Sequence, residues 1–130
     1  MPSDNAATIA PGTDISFPNK GGTGGNSITR INNTTFSLNE IGTYLIIFKS
    51  SITEAGQLVL TYNGTELAYT VVGRATGTSQ LVGTAIITTN IATSIITVRN
   101  PANNTTALTL TPNAGGTLPV TAHLTILQIA

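Results

Sequence analysis

The chain reads as all-β, a jelly-roll β-sandwich of two antiparallel sheets that associates with copies of itself, and three observations carry that reading. In Gly42-Thr43-Tyr44-Leu45-Ile46-Ile47-Phe48 both sets of alternate residues contain large apolar side chains. Successive side chains of a strand point to opposite faces, so such a strand has to be covered twice. The rest of the chain, rich in Thr, Gly and Asn and without helical periodicity, offers a second sheet for one face and little for the other. A subunit interface is the economical cover. Turn signals, finally, separate short β-rich runs at a spacing that gives about eight to ten strands, as in jelly rolls and related sandwiches.

Taken in order, residues 1–12 are polar, contain Pro2, Pro11 and Gly12, and show no period, which predicts a flexible leader or linker end before a single domain spanning 13–130. Asp14-Ile15-Ser16-Phe17 alternates as a short strand that Pro18 ends. The Gly21-Gly22-Thr23-Gly24-Gly25 loop lacks the Lys-Ser/Thr ending and the following helix of a phosphate cradle. Ser27 to Ile31 and Thr34 to Leu38 form two short strands around Asn32-Asn33. After the doubly apolar strand, Gly56 to Tyr62 runs into Asn63-Gly64, the residue pair that suits the left-handed dihedrals of a type I′ turn. Leu58 to Tyr62 is therefore expected to pair with Thr65 to Val72. Further strands are expected at Ser79 to Thr89, Ser94 to Arg99 and Thr105 to Thr111, with Thr117 to Ile129 as a long final strand. That last strand is again apolar on both faces, Ala122, Leu124 and Ile126 against Leu127 and Ile129, and belongs beside Tyr44 to Phe48.

A chain of 130 residues holds one core. Charged residues make up 8% of it, five basic against five acidic, so hydroxyls and amides must solvate the surface. Lys20, Arg30, Lys49, Arg74 and Arg99 are too dispersed to neutralise a phosphate backbone or to bind an anionic bilayer surface, so neither nucleic acid nor a membrane is an expected partner. Apolar runs of about five residues fall far short of the roughly 20 that a spanning helix needs. The absence of Cys removes disulfides, thiol nucleophiles and thiolate metal sites.

Any acid-base mechanism would have to pass through His123, the sole imidazole, and its place in a strand apolar on both faces predicts a buried, neutral side chain instead. The acids Asp4, Asp14, Glu40, Glu54 and Glu66 show no calcium-loop or paired-carboxylate spacing, and the alternatives at Asp14 and Glu40 are a calcium ligand or a solvated turn charge. The expectation is a non-enzymatic domain without catalytic residues, cofactor or metal. Five Asn-x-Thr triplets, at Asn32, Asn33, Asn63, Asn103 and Asn104, arise readily from this composition. Without Trp a sugar-stacking platform is weakly supported, and Tyr62 and Tyr69 read as packing residues of the Asn63-Gly64 hairpin. The loops Gly21 to Gly25, Ala75 to Thr78 and Pro101 to Asn104 are small and polar, suited to surface contacts.

Phe36-Ser37-Leu38-Asn39-Glu40-Ile41-Gly42-Thr43-Tyr44 resembles the strand, turn and Gly-x-Tyr signature of the globular heads of collagen-like proteins, the complement-head and tumour-necrosis-factor-like jelly rolls. Leu58-Val59-Leu60-Thr61-Tyr62-Asn63-Gly64-Thr65-Glu66-Leu67 and Ala122-His123-Leu124-Thr125-Ile126-Leu127-Gln128-Ile129-Ala130 are similar to the hairpin and closing strand of the Bacillus collagen-like exosporium glycoprotein head. The resemblance extends over residues 13–130 in pattern. It implies a homotrimer on the spore surface, in the exosporium, serving assembly and adhesion, with glycans or host surface proteins as possible contacts. No Gly-x-y repeat precedes residue 13. It further implies that Thr43, Leu45 and Ile47 face the threefold axis while Tyr44, Ile46 and Phe48 line the sandwich. On the final strand Leu124 and Ile126 are the expected axial residues. A receptor-binding or lectin-like tip of a phage fibre or bacterial adhesin is the alternative.

Overall fold

The computed structural model describes residues 8–76, 80–111, 115–118 and 122–130. Every regular element in them is a strand apart from one 3-10 turn at Ala68–Thr70. The strands are β1 (Thr8–Ile9), β2 (Ile28–Arg30), β3 (Phe36–Leu38), β4 (Thr43–Ser50), β5 (Gly56–Tyr62), β6 (Thr65–Glu66), β7 (Val72–Arg74), β8 (Leu81–Thr88), β9 (Ser94–Arg99), β10 (Leu108–Thr109) and β11 (Ala122–Gln128). They form a smaller antiparallel sheet in the order β11-β4-β8 and a larger one in the order β2-β3-β9-β5-β6, with β7 paired to the first half of β5 and β1 to β10. The chain passes from the larger sheet at β3 to the smaller at β4, back at β5, out again at β8, back at β9 and finally out at β11.

The core lies between the sheets. On β4, Tyr44, Ile46, Phe48 and Ser50 are buried while Thr43, Leu45 and Lys49 are half-buried and Ile47 is exposed, the strict alternation of a strand with one covered face. On β8 the alternation is equally clean, with Leu81, Gly83, Ala85 and Ile87 inward. These residues meet Leu38, Leu58, Leu60, Ile96 and Val98 of the larger sheet in one apolar cluster. Gly83 pairs with Phe48, and a Cβ there would stand 2.6 Å from both Cε atoms of the ring. The strand gives up a side chain at this position to seat an aromatic one.

The Asn63-Gly64 turn has the expected left-handed dihedrals, with φ of 50° and 87°. It is also docked: the Asn63 N–H donates to the Ile95 carbonyl at 2.8 Å, and the Ile95 N–H donates to Asn63 Oδ1 at 2.8 Å. The hairpin is not continuous to Val72, however. Thr61 and Tyr62 pair with Glu66 and Thr65, and Gly56 to Leu58 pair with Arg74 to Val72, but residues 67–71 leave the ladder in the 3-10 turn. The Thr70 hydroxyl takes the place of a strand carbonyl there, accepting from the buried Leu60 N–H at 2.9 Å.

Three further expectations are corrected. Residues 8–12, assigned to the leader, are tied in: Ile9 is buried and pairs with Leu108, and the Gly12 N–H donates to the Asn100 carbonyl. Asn100, itself buried, donates from Nδ2 to the Ile9 and Thr106 carbonyls. Residues 1–7 lie outside the described residues. Thr105 to Thr111 keeps only β10 and an isolated bridge between Ile52 and Leu110. The last strand is described over Ala122–Gln128; Thr117 and Leu118 are exposed in a turn, and 119–121 lie outside the described residues.

Candidate functional site

β4 is the middle strand of the smaller sheet, flanked by β11 and β8, so its outward residues sit at the centre of that sheet's outer face. Register builds the face row by row. Leu127 of β11, Leu45 of β4 and Ile86 of β8 form one row, Thr125, Ile47 and Thr84 the next, and His123, Lys49 and Val82 the third. The first row is apolar across the whole sheet. Ile86 is 57% exposed, Leu127 55% and Val82 53%, so the described residues leave much of each uncovered. Thr43, paired with Thr88, closes the face at its other end. Exposed apolar surface of this kind, on a chain with 8% charged residues, makes this face the candidate contact surface.

Of the five residues expected at a threefold axis, Thr43, Leu45 and Ile47 share this face. Leu124 and Ile126 do not. They pair with Phe48 and Ile46, inward residues of β4, and are half-buried against the core. Residues directly opposite in an antiparallel ladder point to the same side, so the register itself decides the matter. On β11 it is Thr125 and Leu127 that share the outer face, opposite Ile47 and Leu45. His123 is corrected as well: it lies outward on β11, exposed, opposite Lys49. Partial desolvation, and then the neighbouring Lys49 charge, hold its pKa below 6.5.

The acids are used as local anchors. Asp14 Oδ1 accepts from Arg99 Nε at 2.8 Å and from Thr97 Oγ1 at 3.0 Å, and Thr97 in turn shares a hydrogen bond with Thr61. This chain of contacts clips the 14–17 segment alongside β9. Glu66 Oε2 accepts the Ala102 N–H at 2.8 Å, and Glu54 Oε1 the Thr109 N–H at 2.7 Å. Burial raises the Glu54 pKa, but its hydrogen bonds to Thr109, to its own backbone and to Thr53 outweigh that and the net direction is down. Among the described residues no group of three or more His, Asp or Glu is placed to hold a metal ion. Tyr62 Oη is bonded to Ser94 Oγ at 2.9 Å, whereas Tyr69 is exposed. No family model matches the sequence, and no curated protein matches it.

Proposed function

We propose that the domain is a non-enzymatic head that assembles as a homotrimer through the outer face of the β11-β4-β8 sheet, with surface contact or adhesion as its role. The observation that carries the reading is the apolar row Leu127, Leu45, Ile86 running uncovered across the sheet. Burying it in a subunit interface removes apolar area from water at about 25 cal/mol per Å². The strand order supports a jelly roll: the chain alternates between the sheets, and the larger sheet interleaves early and late strands as β2-β3-β9-β5-β6. The Gly42-Thr43-Tyr44 signature and the closing strand then favour the head of a spore-surface, exosporium collagen-like protein. Thr43, Leu45, Ile47, Thr125 and Leu127 would approach the threefold axis.

Light scattering coupled to size exclusion tests this. The expected particle contains three copies of the 13.3 kDa chain. Leu45→Asp, which puts a charge at the centre of the face, should dissociate it, because an unpaired charge buried in an interface costs several kcal/mol. A wild-type monomer at micromolar concentration, or a Leu45→Asp protein that stays trimeric, would overturn the proposal.

A further inference from the structure

The sandwich gapes on one side. β2 is the outermost strand of the larger sheet and β11 of the smaller, and between these two edges lies a cavity of about 770 Å³, bordered by the glycine-rich segment after Phe17. Its inner wall is apolar, made by Ile28, Leu124, Ile126 and the buried Phe36. The first three are only half-buried, and no described residue fills the gap between them.

The charge around this cavity is one-sided. Lys20 and Arg30 line it beside the neutral ring of His123, and among the described residues no Asp or Glu does, in a chain whose basic and acidic residues balance. Arg30 is the most constrained of the three. Its Nη2 donates to the Phe17 and Pro18 carbonyls at 3.1 and 3.0 Å and to Asn33 Oδ1, which fixes the guanidinium plane. All three acceptors are neutral, and Nε is buried without a partner. Among the described residues the ion pair goes to Arg99 and Asp14 instead. A half-buried guanidinium held only by neutral oxygens can form a charge-assisted pair with an arriving carboxylate, the stronger kind of hydrogen bond. Asn19 and Asn26 add neutral donors and acceptors to the lining.

We propose that this cavity is a binding site for a carboxylated sugar, with Arg30 taking the carboxylate, Lys20 contributing charge and the neutral His123 imidazole a hydrogen-bonding ring at the rim, the Asn side chains meeting hydroxyls, and Ile28, Leu124 and Ile126 meeting the C–H face of the ring. The three surfaces match the three chemistries of that ligand. The volume falls within the roughly 300–1,000 Å³ of small-molecule sites. An inorganic anion would satisfy Arg30 but leave the apolar wall wet; a neutral sugar would leave the guanidinium unpaired. The site goes beyond the assembly reading, and its ligand would give an adhesive head something to grip.

Amide NMR titration of the intact protein with glucuronate, glucose and inorganic phosphate decides it. Glucuronate should shift the amides of Thr29, Arg30, Leu124 and Thr125 together and bind at least about tenfold more tightly than either control, the usual worth of one charge-assisted pair. Arg30→Gln should lose about that factor. Because Arg30 also holds the Phe17 and Pro18 carbonyls, the double variant Lys20→Gln with His123→Gln provides a second reading: both side chains are exposed, and affinity should fall severalfold with the fold intact. Equal binding of glucose, equal binding of phosphate, shifts centred on another surface, no shift at all, or a double variant of unchanged affinity would each overturn the proposal. A protein that binds glucuronate in this way yet runs as a monomer keeps the site and loses the trimer.

Discussion

The contact between Phe48 and Gly83 offers the sharpest test of the core. Phe48 is 1% exposed, paired with Gly83 on one side and Leu124 on the other. Truncation to Ala removes a fully buried ring and should cost about 3–5 kcal/mol. That is a large share of the roughly 5–15 kcal/mol by which a domain of this size is stable, and lowers Tm by about 10–20 °C. Gly83→Ala in the wild-type background places a methyl against both Cε atoms, and overpacking of this kind costs about 1–3 kcal/mol. With Phe48 already truncated, the same methyl enters empty space. It also relieves the backbone freedom of a mid-strand glycine, so the change should then stabilise by about 0.5–1 kcal/mol. The double-mutant cycle should therefore show a coupling of about 2 kcal/mol. Urea and thermal unfolding at one fixed protein concentration, so that assembly contributes equally to each variant, would measure it. Additive costs within about 0.5 kcal/mol would refute the packing described for this pair.

Thr70→Val strands the buried Leu60 N–H and should cost about 1–3 kcal/mol in urea unfolding, whereas Thr70→Ser should keep the bond and most of the stability. Asn63→Ala forces an alanine to φ of 50° and removes the acceptor for the Ile95 N–H, for a loss of about 1–2 kcal/mol by the same measurement, while Asn63→Gly should lose less. His123 makes stability fall in mild acid. Its folded pKa lies below 6.5, so the imidazole is neutral in both states at higher pH, and as pH drops through 6.5 the unfolded chain takes the proton more readily. Melting scans from pH 7.5 to 5 should show a smaller loss for His123→Gln than for wild type.

What the sequence disclosed was local. Gly56 to Tyr62 and Ser94 to Arg99 coincide with β5 and β9 because β-branched and aromatic runs bounded by turn residues encode themselves. Asn63-Gly64 declared its turn because few other residue types tolerate those dihedrals. What it concealed was set at a distance. β11 carries apolar residues on both faces, so its period cannot say which face is inward; only pairing Leu124 with Phe48 does. The anchoring of residues 8–12 depends on Asn100 and Leu108, some 90 and more positions away, in a segment that carries no pattern of its own. The break in the hairpin at residues 67–71 turns on one hydroxyl, that of Thr70. The cavity has no signature in the chain at all, since Lys20, Arg30 and His123 line one space only when two sheet edges are laid side by side.

The back-and-forth course of the chain between its sheets has a kinetic consequence. β4 cannot complete a sheet with β5, its successor, but waits for β8 and β11; β3 waits for β9. No consecutive pair longer than the short β2-β3 and β5-β6-β7 hairpins can form and persist alone, so almost every stabilising contact closes a long loop before it yields anything. Folding is therefore placed in the millisecond-to-second range of barrels and sandwiches, and it is all or nothing: a nascent chain that has not yet released β11 holds β4 with one flank bare. During that interval the Tyr44 to Phe48 stretch, apolar on both sides, is the segment most exposed to other chains, and the commitment to correct assembly rests on β11, the later of the two strands that flank it.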